Sequence, residues 1–90
     1  MLEKLAGIEE RYEEINQLLM EVGNDYQRAA ELNMERTELE PLIEKARQYR
    51  QALSRRDEAR ALLDSPDDEL RSLAEAELED VEPEIEQLEK

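Results

Sequence analysis

The sequence predicts an all-α protein, an antiparallel three-helix bundle or a set of helical hairpins with a long central helix kinked at Pro41. Three observations carry that reading. Apolar residues make up 39% of the chain and recur at intervals of three and four, the period of one helix face. Breakers are scarce, with two Gly and three Pro, and two of them stand beside capping residues (Gly23 before Asn24-Asp25, Pro66 after Ser65). Charged residues reach 42%, against about 25% in an ordinary domain, and they fill the faces between the apolar stripes. Low hydropathy with a net charge of −14 is also the composition of disordered chains. The regular spacing is what argues for a fold.

The first helix is expected over about 2–22. Leu5, Ile8, Tyr12, Ile15, Leu19 and Val22 follow one another at the alternating three and four of a heptad seam. Leu2 and Leu18 widen the stripe, and Glu3, Glu9, Glu10, Glu13, Glu14 and Glu21 occupy the other side. Gly23 follows where a helix end favours a left-handed residue. Gly7 lies inside and weakens the helix by about 1 kcal/mol relative to Ala.

The second helix is expected over about 25–64, capped by Asn24 or Asp25. Its seam is Ala29, Leu32, Leu39, Leu42, Ile43, Ala46, Tyr49, Leu53, Leu62 and Leu63. Arg36, Arg50 and Arg56 fall on or beside it, where long stems can cover apolar surface. Pro41 removes a hydrogen bond and crowds the preceding turn, which predicts a kink. Thr37 and Glu40 offer a competing capping box, but no loop-forming residues accompany the proline, so one kinked helix is preferred to two.

The third helix is expected over about 66–89. Ser65 serves as N-cap, Pro66 as first helical residue, and Asp67, Asp68 and Glu69 meet the positive end of the dipole. Leu70, Leu73 or Ala74, Leu78, Val81, Ile85 and Leu88 form its seam, with Pro83 predicting a second kink or a frayed last turn. Both connections are short, which makes the neighbours antiparallel. Residues 1–90 read as a single helical domain belonging to a longer protein. At 1.5 Å per residue the outer helices are about 32 Å long and the central one about 60 Å, so part of each seam is expected to stay exposed for a partner or for more of the polypeptide.

Charge is segregated along the chain. Lys45, Arg47, Arg50, Arg55, Arg56 and Arg60 face only Asp57 and Glu58 in their stretch, whereas residues 65–90 are strongly acidic. In an antiparallel pair these halves meet, and intrachain pairing is the favoured reading of the arginines. The sharper reading is that Arg47, Arg50, Arg55 and Arg56 include residues that touch RNA phosphates.

Other chemistry is excluded or weak. Without Cys or His there is no disulfide, thiolate or imidazole metal site, and no Ser–His–Asp or Cys–His constellation. Asp64, Asp67, Asp68 and Glu69 lack the spacing of a calcium loop and read as helix capping. Tyr12, Tyr26 and Tyr49 read as seam filler rather than as base-stacking platforms. No catalytic site, cofactor or metal is expected. The longest strongly apolar runs are three residues, so no membrane span is expected, nor is a signal peptide, and the expected compartment is the cytoplasm.

Longer stretches then align with a known family. Leu2-Glu3-Lys4-Leu5 and Ile8-Glu9-Glu10-Arg11-Tyr12-Glu13-Glu14 open the chain. Glu38-Leu39-Glu40-Pro41-Leu42-Ile43 and Tyr49 follow. Ala59, Leu62-Leu63-Asp64, Asp67-Asp68-Glu69-Leu70-Arg71, Leu73-Ala74 and Glu77-Leu78 complete the set. In order and spacing the whole chain resembles the N-terminal domain of bacterial class I peptide chain release factors of type one. The type-two paralogue usually carries a tryptophan-containing insertion after its first helix, and this chain has no Trp and a short link there.

The resemblance implies a part in translation termination at UAA and UAG stop codons, with the whole factor triggering peptidyl-tRNA hydrolysis on the ribosome. It implies that this domain docks near the base of the ribosomal stalk, against protein and rRNA, and that the GTPase release factor is a further partner. It assigns codon reading and hydrolysis to Pro-x-Thr and Gly-Gly-Gln motifs of later domains, neither of which is present here. Neither DNA nor membrane is an implied partner. Two other readings compete. A tRNA-binding helical arm needs a basic tip, and both turns here are neutral to acidic. A self-associating coiled coil would use the heptads of the first helix.

Overall fold

The computed structural model describes residues 1–90, and all its regular structure is helical. Helix α1 spans Leu2–Glu21, α2 spans Tyr26–Leu62 and α3 spans Asp68–Leu88. The chain forms two compact units, Met1–Ala46 and Arg47–Lys90. In each, a stretch of α2 pairs with the neighbouring helix in antiparallel fashion.

The link between α1 and α2 follows from its residues. Gly23 adopts φ 56°, the left-handed conformation expected after the helix end at Val22. The Asp25 amide donates to the Val22 carbonyl at 3.0 Å, which closes the turn. Of the two candidate caps, Asp25 acts: its carboxylate accepts from the Arg28 amide at 3.0 Å.

In the first unit Leu5, Ile15 and Leu32 are buried, together with Ala46 at its far end. Ile8, Tyr12, Leu19 and Val22 are half-buried, so every heptad position of α1 lies against the unit's interior. Pro41 stands inside an uninterrupted α2. The Thr37 hydroxyl donates to the Asn33 carbonyl at 2.9 Å, a bond back along the same helix rather than the start of a new one.

The second unit departs from expectation along α2. Its buried positions there are Tyr49, Ala52 and Ala59, while Leu62 and Leu63 of the expected seam are exposed and Leu53 is half-buried. The spacing from Tyr49 through Ala52, Arg56 and Ala59 is itself three, four, three. The stripe continues through small residues rather than the larger ones nearby. Opposite it α3 buries Ala74, Val81 and Ile85.

The start of α3 is also corrected. The N-cap is Asp67, not Ser65: its carboxylate accepts from the amides of Glu69 (2.9 Å) and Leu70 (3.4 Å). Pro66 therefore precedes the helix instead of opening it. Proline disfavours helical backbone at Ser65, and the Ser65 hydroxyl instead accepts from the Asp67 amide at 3.1 Å. Arg71 clamps the same turn through the Ser65 carbonyl at 2.6 Å and through the Asp68 carboxylate. Despite Pro83, α3 continues to Leu88.

Candidate functional site

The second unit builds its charged surface on the antiparallel pairing of α2 with α3. Of the four arginines singled out in the sequence, Arg55 is held by α3. Its Nε donates to Glu77 at 2.6 Å and its Nη1 to Glu84 at 2.8 Å. These carboxylates lie seven residues apart on one face of α3, two helical turns, and a single guanidinium fork spans them. Both raise the Arg55 pKa, the Glu77 hydrogen bond most.

Arg56 occupies the buried stripe of α2 between Ala52 and Ala59, and its side chain is only 27% exposed. It donates to the neighbouring Asp57 at 3.2 Å. Arg47 and Arg50 are exposed. With Gln51 and Ser54, also exposed, they mark one face of the helix at three- and four-residue spacing. By exposure the four divide in two: Arg47 and Arg50 are exposed, Arg55 and Arg56 half-buried.

Tyrosine places are likewise divided. Tyr49 is buried, and its hydroxyl donates to Glu89 at 2.6 Å, tying the C-terminal end of α3 to α2. That bond pushes the phenol pKa up, with burial adding to it. Tyr12 lies beneath the Arg36 guanidinium, 5.4 Å from the ring centroid. Tyr26 contradicts the seam-filler reading: at the first position of α2 it is 78% exposed.

In the first unit Arg11 grips Glu35 through two parallel bonds, Nε–Oε2 at 2.5 Å and Nη2–Oε1 at 2.7 Å, and also reaches Glu14 at 2.6 Å. The Glu35 carboxyl is held below its ordinary value by the Arg11 hydrogen bonds. Of the acidic cluster, Asp67 caps the helix amides and Asp68 pairs with Arg71.

A feature absent from the sequence reading is an open groove of about 300 Å³ at the α2–α3 end of the second unit, floored by Ala59, Leu62, Leu73 and Ala74. Its signal in the sequence was the mismatch between Leu62 and Leu63 and the small-residue stripe that precedes them. No helix is long and apolar enough to cross a membrane.

Residues 8–90 match the PCRF domain family. The chain is 42% identical over 90 residues to the peptide chain release factor 1 of a Nitratiruptor species, an alignment covering 98% of this chain and 25% of that protein. To the peptide chain release factor 1 of Aliarcobacter butzleri it is 39% identical, covering 94% and 25%. To that of Bacillus subtilis it is 36% identical, covering 98% and 26%. The chain spans about a quarter of the length of the curated relatives it matches. No solved structure matches it.

Proposed function

The chain belongs to the PCRF domain family, and from that premise we propose that it is the ribosome-docking N-terminal domain of a factor that terminates translation at UAA and UAG codons in the cytoplasm. The carrying observation is the match over residues 8–90, joined to 42% identity with a peptide chain release factor 1 across nearly the whole chain. In this reading the domain binds and positions. Codon reading and peptidyl-tRNA hydrolysis belong to the rest of the factor. The stalk-base protein and rRNA are the docking partners, and the GTPase release factor a further one.

Of the proposed ribosome-facing set Arg47, Arg50, Arg55 and Arg56, the two exposed members carry the contact and the other two do not. Exposed Arg47 and Arg50 meet phosphate oxygens, while Arg55 ties the helix that presents them to α3. Two cations in a chain of net charge −14 supply orientation more than affinity, since the global field opposes RNA. Burial of the α1 heptads within the first unit speaks against the self-associating coiled coil.

Site-directed probing tests the placement. The chain has no native cysteine, so a single one at Gln51→Cys, on the Arg47–Arg50 face, can carry a radical-generating iron chelate. The host is a full-length factor made by replacing the matched segment of the Bacillus subtilis relative with this chain, its other cysteines removed. Strand cleavage of rRNA from Gln51→Cys, and its loss when Arg47 and Arg50 are both alanine, is the expected result. Absence of cleavage from Gln51→Cys in a factor that still supports release overturns the placement of the arginine face.

A further inference from the structure

We propose that the groove at the α2–α3 end of the second unit is a docking site for a basic amphipathic helix of a partner protein. This goes beyond ribosome docking through the arginine face and does not depend on it. Leu73 is 65% exposed and Leu62 39%, with Leu63 and Leu70 also exposed beside the turn. Leu62 and Leu73 line the groove itself, and exposed apolar side chains gathered at such a corner mark an interaction site. Ala59 and Ala74 lower the floor between Leu62 and Leu73 and give the surface depth. At about 300 Å³ the groove stands at the bottom of the small-molecule range, and it is open to solvent. It suits the anchoring side chains of a helix, placed three or four residues apart.

Charge selects the occupant. Arg55, Glu58 and Glu77 all line the groove, and with Arg55 bridging Glu77 and Glu84 one cation stands among three carboxylates. The adjoining turn carries Asp64, Asp67, Asp68 and Glu69, against Arg60 and Arg71. An apolar floor within an acidic border fits leucine-like anchors flanked by lysine or arginine, and it repels an acidic helix or a nucleic acid. A second copy of this chain is disfavoured for the same reason.

The test uses the 90-residue chain and three synthetic helical peptides at 150 mM salt. One carries leucines on one face and lysines on the other. The second replaces its leucines with serine, and the third its lysines with glutamate. Tight binding of the leucine–lysine peptide is expected, with amide shifts at Ala59, Leu62, Leu73 and Ala74, and at least tenfold weaker binding of the other two.

Leu73→Glu separates the groove from general attraction between a cation and an acidic protein. It adds a negative charge, so pure electrostatics would tighten the complex, whereas loss of the apolar floor weakens it at least tenfold. Met34→Glu adds the same charge at an exposed position of the first unit and is expected to leave affinity within twofold. Circular dichroism checks that both variants keep their helices. Equal or tighter binding by Leu73→Glu, equal binding of the serine peptide, or shifts confined to the first unit would overturn the proposal.

Discussion

Gly7 and Gly23 show how one residue type carries opposite consequences. Gly7 is exposed inside α1, and a Cβ there meets nothing within 4 Å. Gly7→Ala should therefore raise stability by about 1 kcal/mol through helix propensity alone. Gly23 has equally open space but a φ of 56°, so Gly23→Ala should lower stability by about 1 kcal/mol through backbone strain. Urea unfolding of the two variants checks both signs. The Arg11–Glu35 pair has a definite pH signature. The Glu35 pKa is depressed in the folded chain, so the pair's contribution is full above the unfolded glutamate value of about 4.3 and is lost as pH falls through the folded value. Glu35→Gln should flatten the fall in stability between about pH 5 and the folded pKa, measured against the parent at each pH so that changes in overall repulsion cancel.

At the scale of the element, α2 poses the main energetic question, because it runs through Pro41 without interruption. An interior proline is about 3 kcal/mol less favourable than alanine, offset by roughly 1 kcal/mol of reduced freedom in the unfolded chain. Pro41→Ala is accordingly expected to stabilise the protein by about 2 kcal/mol in a urea titration. The helices themselves were legible, because heptad spacing in α1 and caps at both turns agree with each other. The boundary at α3 was less so. Ser65, Asp67 and Asp68 can all cap, and the choice depends on how Pro66 restricts the residue before it. The alanine stripe of α2 was obscured for a different reason. Apolar pattern weighs Leu62 and Leu63 above Ala52 and Ala59, whereas close approach of α3 rewards the smaller side chains. Which arginines face solvent was equally hidden, since Arg50 and Arg56 sit in similar local sequence and only the packing of α3 separates them.

For the whole molecule, the excess of 26 acidic over 12 basic residues sets the response to ionic conditions. Screening weakens repulsion spread over the surface more than it weakens close ion pairs such as Arg55 with Glu77 and Glu84. Raising salt from 20 to 500 mM should increase the melting temperature by a few degrees, and a decrease would mean that the paired charges outweigh the repulsion. Salt should have the opposite effect on the proposed contact with RNA, where each phosphate contact releases counterions.

The central claim is that this domain contributes docking rather than chemistry. It is tested most directly by the kinetics of peptide release on ribosomes carrying a stop codon, comparing a full-length factor that bears this chain at its N-terminus with the same factor lacking it. Removal of the domain is expected to raise KM about tenfold while kcat stays within about twofold, the mark of lost binding shared by ground and transition states. An unchanged KM, or a collapse of kcat at constant KM, would contradict it.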